Sequence, residues 1–174
     1  MDLKTKVIQN GYEQEVAWAE SLESCSSAEC FLDEYMWVVL NAGMKEQVAR
    51  IIFGRIQEAI HIGIPILEVF AHKGKAAAMS KMMLSYHKTF SDFQKAPDKI
   101  SYLESLPWIG KVTKYHLAKN LGIDCIKPDR HLVRIAKEFG TTPVDMCKKL
   151  SNETGDTLAT TDVVIWRAAN LGFI

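Results

Sequence analysis

Residues 106–139 read LPWIGKVTKYHLAKNLGIDCIKPDRHLVRIAKEF. A Pro/Gly turn at Leu106-Pro107-Trp108-Ile109-Gly110 starts a helix, Gly122 ends it, and Asp129 opens the next helix behind Pro128. Leu106 and Ile109 are apolar anchors for a hairpin between two helices, and Gly110 permits backbone geometry that a side chain would hinder. The residues that follow, Lys111-Val112-Thr113-Lys114, form a helix N-terminus whose N–H groups favour an anion, with two lysines beside them. A phosphate docked there is positioned without being read for sequence. The plain alternative is an αα-hairpin with a glycine turn, a common structural device.

Charge is compatible with a local docking face but does not by itself point to one. The chain of 174 residues carries 21 Lys and Arg against 21 Asp and Glu, a balance that argues against an indiscriminate polyanion binder. Residues 111–138 nevertheless hold seven basic side chains (Lys111, Lys114, Lys119, Lys127, Arg130, Arg134, Lys137) against three acidic ones (Asp124, Asp129, Glu138). Two ordinary solvated helices would account for the same excess.

Length suits one domain over residues 1–174, with an apolar content of 48% that is ordinary for a globular protein. The start, MDLKTKVIQNGYEQEV, lacks the apolar run of a secretory signal, and no stretch reaches the roughly 18 apolar residues of a membrane helix. A cytoplasmic protein without membrane contact is expected. Cys25, Cys30, Cys125 and Cys147 form no C-x2-C pair and no histidines stand at zinc-ligand spacing, so four free thiols and no metal are expected.

Periodicity is helical almost throughout. Residues 45–60 place Val48, Ile51, Ile52, Ile56, Ala59 and Ile60 on one stripe, and residues 33–42 read as a largely buried helix stopped by Gly43. A short helix is expected at Pro65, one amphipathic helix over residues 75–90, and another short helix after Pro97. Thr142-Pro143-Val144-Asp145 has the pattern of a helix start, with Gly155 ending that helix, and Thr161-Asp162 is read as the start of the last one. The expected fold is all-α with short connections.

The segment LPWIGKVTKYHLAKNLG followed by KPDRHLVRIA resembles the helix-hairpin-helix DNA glycosylase superfamily (HhH-GPD), which includes endonuclease III, the mismatch adenine glycosylase and alkylbase glycosylases. The family hairpin reads roughly Leu-Pro-Gly-Val-Gly, and a catalytic aspartate starts the next helix. The resemblance extends to Lys75-Ala76 opening a helix, to Pro97 before LESLPWIG, and to WVVLNAGMKEQVARII in the place of an early helix pair. It implies an HhH-GPD-like helical domain with the hairpin at about residues 103–121. Asp129 falls at the place of the family aspartate. Trp108, Gly110, Lys111, Lys114, Lys127, Arg130 and His131 are the corresponding DNA and phosphate contacts. Tyr35, Trp37, Asn41, Tyr115 and His116 are candidates for a base pocket, with core packing as the competing use of Tyr35 and Trp37.

Four departures shape the expected chemistry. Val112 stands where bifunctional members carry a nucleophilic lysine, so lyase chemistry is not implied. Trp108 replaces the first hairpin glycine, no glutamine near Asn41-Ala42-Gly43-Met44 matches the residue that fills the duplex gap, and the C-terminal cysteine quartet for an iron–sulfur cluster is missing. The resemblance therefore implies a monofunctional N-glycosylase acting on modified duplex DNA without a cofactor. A second expectation keeps the fold and changes the reaction: phage proteins related to this superfamily replace a pyrophosphate on 5-hydroxymethyl-uracil in DNA with an amine or amino acid, in the host cytoplasm. A third is a non-catalytic helix-hairpin-helix module in which Asp129 serves only as a helix cap.

Overall fold

Capping residues explain most of the helix boundaries in the computed structural model, which describes residues 2–174. Asp2 caps α1 (Leu3–Val7), and a turn at Asn10 and Gly11 separates it from α2 (Glu13–Ser21). Ser27 caps α3 (Ala28–Asn41), which is followed by α4 (Glu46–His61) and the single turn α5 (Ile66–Val69) behind Pro65. His72 caps α6 (Lys73–Met83), and α7 (Tyr86–Lys95) comes next. Asp98 caps α8 (Lys99–Glu104), and α9 (Thr113–Asn120) follows the turn at residues 105–112. Asp129 caps α10 (Arg130–Glu138), Thr142 caps α11 (Pro143–Thr154), and Thr157 caps α12 (Leu158–Asn170). The fold is all-α, with no strand among the described residues.

Contacts sort into two compact units. The middle unit is Cys25–Leu117; the terminal unit joins the residues up to Ser24 to Ala118–Ile174, so the division falls inside α9. Helix α3 is the spine of the middle unit and packs on α4, α6 and α7. Its Phe31 meets Phe90 at 5.7 Å and Phe93 at 5.5 Å between ring centroids. Each such buried side chain contributes about 1.5–3 kcal/mol. In the terminal unit α12 is the spine, flanked by α1, α2, α10 and α11. Leu132, Ile135 and Ala136 of α10 join Met146, Cys147 and Ile165 in one apolar cluster, while Val7, Val16, Val164 and Ala168 form another.

Several sequence expectations are corrected. The helix expected over residues 75–90 is two helices, broken at Leu84 and Ser85 where the Leu84 side chain is 90% exposed. The stripe of α4 is rotated. Ala49, Ile56 and Ala59 are buried with Ile52, Phe53 and Ile60 beside them, while Val48 and Ile51 face solvent. The last helix starts at Leu158, so Asp162 lies inside it and is not its cap. Cys25 and Cys30 are joined in a disulfide, contrary to the expectation of four free thiols. Cys125 and Cys147 keep their thiols, and burial pushes both up to about 12, which makes them poor nucleophiles. No helix among the described residues is long and apolar enough to cross a membrane.

Candidate functional site

The turn that follows α8 in the middle unit is built around two anchors. Leu106 and Ile109 are both buried, and Ile109 N–H donates to Leu106 O across the turn (3.1 Å). From below, the fully buried Tyr35 donates its hydroxyl to Pro107 O (2.8 Å). Burial holds the Tyr35 phenol above its ordinary range, so it stays a neutral donor. With both flanks fixed inward, residue 108 is turned outward with φ at +62°. A bulky residue rarely adopts this left-handed geometry, which costs roughly 1–2 kcal/mol for a non-glycine. The family resemblance has a glycine at this position. Trp108 therefore sits in the backbone conformation a glycine favours while displaying an indole that is 49% exposed.

On one side the indole meets the edge of His72, with centroids 5.1 Å apart. On another it covers Gly74, where an added Cβ would lie 2.5 Å from Trp108 Cζ2. His72 is fixed in turn, because its Nδ1 accepts from Lys75 N–H at 3.3 Å. The Lys75 ammonium is buried against the end of α3, donating to Leu40 O (3.1 Å) and Ala42 O (2.6 Å), where a cation satisfies helix carbonyls.

The helix N-terminus expected at Lys111 begins two residues later, at Thr113. Gly110 N–H is taken by Thr113 Oγ1 at 2.7 Å. The backbone N–H groups of Lys111 and Val112 take no partner among the described residues. Of the basic excess, Lys114 is tied to Glu104, Lys119 to Asp162 and Arg134 to Glu138. Lys111, Lys127, Arg130 and Lys137 carry no ion pair among the described residues.

The candidate carboxylate lies in the terminal unit. Asp129 is half-buried at the N-cap of α10, and its Oδ1 accepts from His131 N–H (2.9 Å) and Leu132 N–H (3.2 Å). Both bonds use the same oxygen, and Oδ2 accepts none among the described residues. The cap thus fixes the carboxylate and leaves one oxygen for other work. Arg130 is exposed and the His131 side chain is half-buried.

Sequence reasoning missed what holds this loop. Asp162, 2% exposed on α12, pairs with the buried Lys119 ammonium, and its Oδ2 also accepts Lys127 N–H at 2.9 Å. Burial pushes the Asp162 carboxyl upward, and the neighbouring Lys119 ammonium opposes that shift. Asp124 fixes the other end of the loop, accepting Ala159 N–H at 2.9 Å. Two carboxylates from opposite partners therefore join residues 124–127 to α12. Lys127 itself is half-buried, and its ammonium is held below the usual lysine range by burial first and by Lys119 second, against the pull of Asp129 and Asp162.

The candidate pocket residues are distributed over α3 and α9. Tyr35 belongs to the core and bonds the turn after α8. Trp37 is half-buried, edge-on to Phe53 at 5.6 Å, with the Arg50 guanidinium 5.4 Å from its ring. Asn41 ends α3, and Tyr115 and His116 are half-buried on α9, where the Lys114 ammonium lies 5.2 Å from the Tyr115 ring. A shallow apolar groove lined by Ile60, Ile64, Pro65, Met83 and Leu84 contains none of the expected site residues. Among the described residues no group of three His, Cys, Asp or Glu is arranged to hold a metal ion.

No family model, curated protein or solved structure matches this chain.

Proposed function

We propose that the protein acts on a base in DNA, as a monofunctional N-glycosylase with Asp129 as its catalytic carboxylate. The observation that supports this reading is the division of labour within that side chain. Oδ1 is fixed by two backbone N–H groups, and Oδ2 accepts no hydrogen bond among the described residues. In the proposed reaction the target nucleotide is extruded from the stack. As the bond between the sugar and the base breaks, Oδ2 faces the developing positive charge on the sugar or orients the attacking water. A carboxylate fixed before the reaction lowers such a barrier by several kcal/mol, on the order of a hundredfold to a thousandfold in rate. Arg130 and His131, beside Asp129 in the same unit, serve as phosphate contacts.

A second reading is favoured by Lys127. A partly desolvated lysine two residues from Asp129 suits the replacement of pyrophosphate on a 5-hydroxymethyl-uracil by an amine. The amine nitrogen would bond to the exocyclic carbon, the carbon–oxygen bond to pyrophosphate would break with its electron pair leaving on pyrophosphate, and the amine proton would pass to Asp129 or Lys127. The glycosidic bond would remain intact.

Mass spectrometry separates these reactions. Duplexes carrying alkylated, deaminated, oxidised or pyrophosphorylated 5-hydroxymethyl bases are incubated with the protein, the last also with amines and amino acids. Release of free base supports excision. A mass change on a strand with every glycosidic bond intact supports transfer and sinks the glycosylase reading. Binding without either product leaves the non-catalytic module.

A further inference from the structure

We propose that Trp108 contacts DNA directly, its exposed indole stacking on a base while Lys73 and Lys111 hold the adjoining phosphates. This deepens the DNA-acting reading given above and rests on it. The inference starts from an arrangement that packing alone does not require. The turn at residue 108 has the left-handed geometry that glycine adopts without cost, yet it carries the largest side chain. Residues held in such strained geometry persist where the surroundings over-determine them, and they cluster at functional positions. Here Leu106, Ile109 and the bond from Tyr35 to Pro107 O supply that constraint.

About half of Trp108 is exposed, with His72 in edge contact with its ring and Gly74 leaving room beside it by lacking a side chain. His72 is itself locked as the cap of α6, so the ring pair is fixed before any ligand arrives. Lys73 precedes Gly74, and Lys111 stands three residues after Trp108; both are exposed and neither has a carboxylate partner among the described residues. Fixed aromatic surface flanked by unpaired lysines is the combination that holds nucleic acid, with stacking on the ring and charge on the backbone. A purely apolar protein partner would leave those two ammonium groups without a role.

The test measures affinity for a short fluorescein-labelled duplex containing a flexible abasic-site analogue, by anisotropy at low salt. Trp108→Gly and Trp108→Ala are both expected to weaken binding roughly tenfold, the size of one lost base–aromatic stack, and Trp108→Phe to stay within about threefold of wild type. Trp108→Gly accepts the turn geometry, so its helical circular dichroism checks that the loss is not unfolding. DNA quenching of tryptophan emission is expected in the wild type and reduced in Trp108→Phe. Equal affinity of wild type and Trp108→Gly overturns the inference and leaves the DNA-acting reading standing. A wild-type protein that binds no duplex overturns both.

Discussion

At the turn after α8, Leu106 and Ile109 are buried in the middle unit and leave Pro107 and Trp108 facing outward, whereas in the loop before α10 the chain is drawn inward and held at several points. The first region fixes its backbone through apolar anchors and one tyrosine hydroxyl, and displays an aromatic ring. The second fixes its backbone through two carboxylates, Asp124 and Asp162, and holds a third, Asp129, with one oxygen open. The contrast shows how each region suits its proposed role. A contact surface needs a rigid side chain in solvent, and a reacting carboxylate needs a rigid setting with little water.

The contrast breaks most readily at Asp162. Truncation to Ala leaves the Lys119 ammonium buried without its partner and the Lys127 N–H without its acceptor. Losing one member of a buried pair costs about 3–5 kcal/mol, to be read as a lower urea midpoint. An unchanged midpoint would mean that the pair does not anchor this loop. The counterpart at the turn after α8 is Tyr35→Phe, which leaves Pro107 O without its donor; the expected loss is about 1–2 kcal/mol by the same measurement.

Smaller effects sharpen the comparison. Trp108→Gly and Trp108→Ala lose the same indole, but glycine alone is unstrained at a φ of +62°, so the glycine variant is expected to be more stable by about 1 kcal/mol. Equal melting temperatures would remove the argument from strain. At Lys127 the sign follows from its pKa, which is lower in the folded protein than in the unfolded chain. The charged form therefore weakens the fold at neutral pH, and that cost fades as pH rises from the folded pKa towards the unfolded value. Lys127→Met is expected to melt no lower than wild type at neutral pH, with any gain shrinking as the solution becomes alkaline.

Local signals in the sequence were the legible ones. Pro128-Asp129 and Thr142-Pro143 marked two helix starts correctly, because capping depends on residues within one turn. The buried helix over residues 33–42 was equally plain from its continuous apolar run. What failed depends on distant partners. Two overlapping stripes in α4 both fit helical spacing, and only packing decides that Ala49 and Phe53 face inward in place of Val48 and Ile51. Thr161-Asp162 looked like a cap by residue type, although the partner that explains Asp162 lies 43 positions away at Lys119. The outward turn at Trp108 shows in the sequence only as a missing glycine, because its φ and its packing on Gly74 are set by residues far from it along the chain.

The central proposal concerns Asp129, where one oxygen caps the helix and the other is assigned the proposed chemistry. Asparagine caps a helix about as well as aspartate, so Asp129→Asn is expected to keep the wild-type melting temperature to within about two degrees. Base release from a modified duplex, measured beside it by mass spectrometry, is expected to fall by roughly two to three orders of magnitude. An Asp129→Asn protein that folds normally and releases base at the wild-type rate would contradict the account.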